Sequence, residues 1–250
     1  MPVMAIADGE IYYEEFGQGF PVLCFAPGSL RSQLDYWHRS PRDPAKPSPA
    51  MDPTADLAGD FRIVAMDQRN AGRSRAPVRA SDGWDTYAGD HLALLDHLDI
   101  ARCHVLGACI GSSFCLKLCE LAPDRIASAV LMQPIGRIAD NIAYTRRETA
   151  QNWGPGMCGD NPALALADVV ALGERMFTAE FVHSVTREFV ASCVTPMLLM
   201  PGNDTAHPAA ISDEVLRLAP RIEYLKVWKN EGRAYSAACT RDFLRRNTPV

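Results

Sequence analysis

At 250 residues, 48% hydrophobic and 22% charged, the chain has the composition of an ordinary globular protein with room for a sizeable core. Its net charge of −5 carries no run of like charges, which argues against nucleic acid or an anionic membrane as the main partner. No apolar run is long enough to span a bilayer, and Met1-Pro2-Val3-Met4 lacks the character of a secretion signal. The expectation is a cytoplasmic protein with a small-molecule substrate, its oligomeric state open and a homodimer one option. In that setting eight cysteines read as reduced thiols.

Residues 4–16 alternate about Asp8-Gly9 and predict a hairpin. Pro21 to Ala26 is an apolar run of buried-strand type, closed by Pro27-Gly28-Ser29. Residues 40–53, rich in Pro, Asp and Ser, predict a loop. Phe61 to Met66 is the next strand and runs into Asp67-Gln68-Arg69-Asn70-Ala71-Gly72-Arg73-Ser74. Leu92, Leu95 and Leu98 give residues 87–98 helical spacing. A strand from Cys103 leads to Gly107-Ala108-Cys109-Ile110-Gly111, followed by a helix over 114–121 and a strand over 126–132 that closes at Gln133-Pro134.

Residues 135–193 then read as helical, with no convincing buried strand. The strand–helix rhythm resumes with a strand at 195–200, a helix at 208–219, a strand at 223–228 and a last helix ending near Arg246. Such alternation with short links predicts an α/β fold, a mostly parallel central sheet flanked by helices. Residues 1–134 and 194–250 form its core, and 135–193 a small helical cap inserted into it.

Gly107-x-Cys109-x-Gly111 has the form of a strand-to-helix elbow that presents a nucleophile at the sheet edge. The flanking glycines suit it, because side chains there collide with the strained turn. A thiol at the start of a helix is held toward thiolate by the helix N-terminus. In a parallel sheet, ligands collect beyond the carboxyl ends of the strands. Gly28, Asp67, Cys109, Gln133 and Asp204 each follow a predicted strand, so they rim one cleft.

Bland readings stand beside this one. Asp67 and Arg69 are expected to shape a turn, and Asp204 either caps the turn before His207 or orients a catalytic base. Trp37 and Trp84 read as hydrophobic anchors, and His91, His97 and His104 as surface or core residues. Trp153, Met157, Met176, Phe177 and Phe181 read mainly as cap packing, with one or two facing the cleft. Cys115 and Cys119 share a helix face but lack partners at metal-ligand spacing, so no metal or cofactor is expected.

Taken together, the motifs resemble those of the α/β-hydrolase family. Ala26-Pro27-Gly28-Ser29 stands where that family has its oxyanion loop. Asp67 to Ser74 resembles its Asp-x-Arg-x-x-Gly-x-Ser turn, Gly107 to Gly111 its nucleophile elbow, and Pro201 to Pro208 its acid turn. The resemblance implies Cys109 as nucleophile, Asp204 as acid, and an oxyanion hole made by the backbone amides of Ile110 and of Gly28 or Ser29.

The family's histidine falls in the loop after the last strand, which here reads Trp228-Lys229-Asn230-Glu231-Gly232, and no histidine follows His207. Lys229 or Glu231 replaces imidazole, or a histidine arrives from elsewhere, with His207 on the acid turn and His183 in the cap as the candidates. A thiol also needs less help than a hydroxyl. A cysteine at this elbow is similar to that of the dienelactone-hydrolase group, which implies a small activated ester, lactone or thioester. Two alternatives stay open: a non-hydrolytic lyase or isomerase that uses the oxyanion hole, and a ligand-binding protein on the same scaffold.

Overall fold

The computed structural model describes residues 2–249, the side chain of Glu231 apart. In chain order its main elements are β1 (Val3–Ile6), β2 (Gly9–Phe16), β3 (Pro21–Phe25), α1 (Asp35–His38), α2 (Pro53–Asp56), β4 (Arg62–Met66), α3 (Trp84–His97), β5 (Cys103–Ala108), α4 (Ile110–Leu121) and β6 (Ile126–Met132). There follow α5 (Ile142–Glu148), α6 (Gly154–Asp160), α7 (Leu166–Phe177), α8 (Arg187–Ser192), β7 (Met197–Met200), α9 (Ala209–Leu218), β8 (Ile222–Tyr224) and α10 (Arg233–Asn247).

The eight strands form one sheet in the order β1-β2-β4-β3-β5-β6-β7-β8. The hairpin strands β1 and β2 pair antiparallel to each other, and β2 antiparallel to β4, while all pairs from β4 to β8 are parallel. Every residue of β5, β6 and β7 is buried. That double-sided burial is why these strands read as unbroken apolar runs. One face packs against α3, α4, α7 and α9 through Leu94, Phe114, Leu172 and Val215. The other packs against Trp37, Leu57, Phe243 and Leu244, which belong to the α1–α2 region and α10.

The turn after β4 is fixed by buried charge. Asp67 accepts the amides of Leu34 (2.8 Å) and Arg73 (2.9 Å), and Gly72 at φ 54 leaves space that a Cβ would deny, 2.4 Å from the Asp67 carboxylate. Arg69 holds Asp90 of α3 by two bonds of 2.8 Å, with both groups buried. Each of these charges is paired with an opposite one, the condition under which burial is tolerated, although Arg69 Nη1 keeps only a long ion pair to Asp8 at 3.5 Å. Both residues therefore brace the turn, as read from the sequence.

Three boundaries differ from expectation. Helices α3 and α4 begin earlier, at Trp84 and Ile110, so α4 starts directly after the elbow. The strand expected to reach Trp228 pairs only at Ile222–Tyr224, because β7 offers four residues and ends at Met200. Beyond it, Trp228 turns inward and its indole donates to the Pro201 carbonyl at 3.0 Å. Trp84 anchors α3 to α7, donating to the Met176 carbonyl at 2.9 Å. No described helix is long and apolar enough to cross a membrane.

Candidate active site

The elbow is built by exclusion. Cys109 lies at φ 59, ψ −120, in the region of positive φ that L-residues enter only under constraint. A Cβ on Gly107 would stand 2.1 Å from the Gly111 carbonyl oxygen, and one on Gly111 2.3 Å from that of Phe25. Only hydrogen at both positions lets strand, turn and helix approach this closely. The Cys109 amide donates to the Met132 carbonyl at 2.9 Å, and the Ser112 hydroxyl sits 3.0 Å from the carbonyls of both Gly107 and Met132. The thiol is thus carried on a rigid hairpin-bend at the floor of a cleft.

The turn after β7 closes on itself. Asp204 and His207 exchange backbone bonds, N–H to carbonyl, at 3.2 and 3.1 Å. One carboxylate oxygen, Asp204 Oδ1, accepts from the amides of Ala206 (2.9 Å) and His207 (3.0 Å) and lies 2.8 Å from His207 Nδ1. The two readings of Asp204, turn cap and orienter of a base, are therefore realised at one atom. With Nδ1 donating to Asp204, the other ring nitrogen is free to meet the nucleophile. Nε2 is buried without a hydrogen-bond partner, and the Cys109 sulfur lies close enough to act on the charge of the ring.

The electrostatics follow from that geometry. Burial pushes the Cys109 thiol up, but the His207 ring and the amides of Gly28 and Ile110 outweigh it and hold the thiol below its ordinary value. Burial works against a charged imidazole, yet the Cys109 sulfur and the Asp204 carboxylate raise His207 to about 9. Asp204 is held well below the usual carboxylate range: burial opposes its charge, and the His207 bonds and Arg42 overcome it. The arrangement favours a thiolate–imidazolium pair backed by a carboxylate.

The amides of Gly28 and Ile110 both act on the Cys109 thiol and lower its value. Gly28 stands at φ 125, with the Tyr36 ring 2.6 Å from where a Cβ would be, so the loop approaches this closely only as glycine. Ser29 lines the same cleft. His183 is not brought to the thiol. Its Nδ1 sits 2.8 Å from the Ala179 carbonyl, burial pushes the ring down to about 4, and it faces crevices elsewhere among the helices between β6 and β7. Lys229 shares the cleft with Cys109, but the groups that hold the thiol below its ordinary value are His207 and the amides of Gly28 and Ile110. The Glu231 side chain lies outside the described residues. His91 and His104 are buried and bonded to Gln68 and Ser128, while His97 is exposed.

Above Cys109 the cleft opens into a cavity of about 200 Å³. Two walls were not legible in the sequence. One is the segment 40–50, which the Asn230 amide fixes by donating to the Pro49 carbonyl at 2.9 Å. The other is the first helical stretch after β6, in which a π-helical turn, Thr149–Trp153, joins α5 to α6. Tyr144, Glu148 and Asn152 recur on one face of it and look into the cavity with Trp153. Met157, Met176, Phe177 and Phe181 pack in the core instead. The i, i+4, i+8 spacing was the available signal for this wall, and an unusually long connection was the signal for the other. Among the described residues no cluster of three or more His, Cys, Asp or Glu could hold a metal ion.

Comparison with known proteins places this geometry in context. A segment of 80 residues, 32% of the chain, is 39% identical to the dihydrolipoyllysine-residue acetyltransferase component of the acetoin cleaving system of Pseudomonas putida, where it spans 21% of the length. Matches to the first curated relatives span from 21% to 50% of their lengths. An enol-lactonase from Burkholderia xenovorans superposes with a TM-score of 0.71 at 20% identity, covering 98% of this chain and all of that one. A meta-cleavage product hydrolase from Pseudomonas fluorescens gives 0.72 at 14%, over 99% and 98%. At such identities the likeness speaks for the fold. The profile of the alpha/beta hydrolase fold matches residues 21–208, most of the chain and all four strand-end motifs, and the chain belongs to that family.

Proposed function

We propose that the chain is a hydrolase of small esters, lactones or thioesters, with Cys109 as nucleophile, His207 as acid–base and Asp204 as orienting acid. The observation that carries this reading is the alignment of three groups: the Asp204 carboxylate 2.8 Å from His207 Nδ1, the buried and unpartnered Nε2 of the same ring, and the Cys109 thiol beside it on the strand-to-helix elbow. Hydrolase names among its relatives, a carbamate hydrolase and an enol-lactonase, support the coarser reading of a hydrolase.

The chemistry runs in two halves. Cys109 thiolate attacks the acyl carbonyl, and the electron pair of the C=O bond moves to oxygen. Once the sulfur's charge has passed into the new bond, the amides of Gly28 and Ile110 are released to hold the oxyanion; one such donor supports about 3–4 kcal/mol of transition-state stabilisation. The intermediate collapses as the leaving group takes a proton from His207, and a thioester on Cys109 results. Neutral His207 then takes a proton from water as it attacks, and the acid departs with thiolate and imidazolium restored. The helices between β6 and β7, read as a cap, and the 40–50 segment limit the acyl group to a small one.

The test is mass spectrometry of the intact protein after brief exposure to a panel of p-nitrophenyl esters of short acids. An acyl adduct that maps to Cys109 and decays with water is expected. A panel that is turned over without any adduct, or turned over fully by Cys109→Ala, contradicts the reading.

A further inference from the structure

Once His207 takes the base role, Lys229 is left over: a half-buried ammonium in the wall of the reaction cavity that the acyl-transfer chemistry does not use. It rests 4.6 Å from the Trp228 ring centroid, and no described carboxylate lies within ion-pairing distance of its Nζ. Burial depresses it, Asp204 and the Cys109 sulfur pull it back in part, and Arg42 adds to the depression. Arg42 reaches over the same space from the 40–50 segment with 66% of its side chain exposed, and its carboxylate contact, Asp204, is 3.8 Å away and already bonded to His207. A third cation, Arg31, lines the cavity from the oxyanion loop, with its buried Nε unpartnered and its guanidinium 3.6 Å from Asp160.

The charge is therefore arranged against the trend of the molecule. The chain as a whole carries −5, yet three cations line the cavity and only two carboxylates do, Asp204 and Glu148. Asp204 gives Oδ1 to His207 and leaves Oδ2 toward Arg42 at 3.8 Å, at the outer limit of an ion pair, while Lys229 has no described carboxylate partner. Two cations with unspent hydrogen-bond donors, set on separate loops and facing one small cavity, form a seat for an anion, since placing them together costs free energy until one arrives.

We infer that Lys229 and Arg42 form a carboxylate-binding subsite, and that the acyl group transferred to Cys109 carries a second, free carboxylate. The inference rests on the acyl-transfer reading for its substrate, but not for the subsite. Short dicarboxylic half-esters and lactones with a pendant carboxylate are the class that fits: one end meets the thiolate, the other the two cations.

The test separates binding from turnover. Alkylation of Cys109 by iodoacetamide, an uncharged reagent, is timed at low ionic strength with succinate or with its neutral isostere succinamide. Succinate is expected to slow alkylation and succinamide not, with protection fading as salt is raised. Lys229→Gln and Arg42→Gln should each weaken protection about tenfold, the scale of one partly screened ion pair, their melting curves serving as the control for folding. In the turnover arm, mono-p-nitrophenyl succinate should exceed p-nitrophenyl 4-methylpentanoate in kcat/KM, and Lys229→Glu should reverse the order. Equal protection by the two compounds, or protection that survives both substitutions, overturns the subsite even if neutral esters are hydrolysed. Protection by succinate without hydrolysis of any ester upholds the subsite and overturns the acyl-transfer reading.

Discussion

The turn after β7 and the loop after β8 sit side by side at the carboxyl edge of the sheet and are held in opposite ways. The β7 turn is self-contained: Asp204 and His207 bond to each other through backbone and side chain alike, so acid and base form one unit within four residues. The β8 loop is held from outside, by Trp228 on Pro201 and Asn230 on Pro49, and it delivers an ammonium into the cavity. The first arrangement fixes a ring nitrogen against the thiol. The second sets a charge at the cavity wall. Which loop supplies an imidazole is thus less important than whether its far nitrogen reaches the sulfur and its near nitrogen has an acid.

The comparison can be broken by substitution, and the effects should fall in order. Cys109→Ala removes the acyl acceptor and should abolish both the adduct and ester turnover, as read by intact mass and nitrophenol release. His207→Gln should lower kcat/KM by about 10²–10⁴, the usual contribution of a positioned acid–base. His183→Gln, whose ring faces elsewhere, is expected to behave as wild type in the same assay. Asp204→Asn keeps the shape of the turn but weakens the hold on Nδ1, and a loss of about 10–10² is expected, since a thiol leans less on its relay than a hydroxyl does. Of the substitutions expected to lower activity, Lys229→Gln should cost least, about tenfold on anionic substrates, the size of one screened charge pair. A loss at Lys229 as deep as that at His207 would reverse the roles assigned to the two loops.

The pH profile sharpens the same contrast. Attack needs thiolate, so kcat/KM rises through the lowered Cys109 value, on the acid side of an ordinary thiol. Departure of the leaving group needs imidazolium, so activity falls again as pH passes about 9, where His207 releases its proton. The expected profile is a bell whose basic limb disappears in His207→Gln.

Much of the fold was legible because its signals are local. The buried strands announce themselves as apolar runs, and Gly107 and Gly111 as the only residues that fit the elbow. The site was legible in part. Asp204 and His207 stand three apart in sequence, yet their bond depends on a turn conformation that spacing alone leaves open. Arg42 and Tyr144 were not visible, because a segment of prolines and serines and a π-helical turn reach the cavity only through tertiary packing. β8 was overread, since the length of a strand is set by the neighbour it pairs with.

The central claim is that His207 on the β7 turn activates Cys109 on the elbow. The most direct measurement is the rate of iodoacetamide alkylation of Cys109 against pH, followed by peptide mass, for wild type and His207→Gln. The account predicts a half-maximal rate well below the ordinary thiol pKa in wild type, moving upward in the variant as the imidazolium is lost. Superimposable profiles in the two proteins would contradict it.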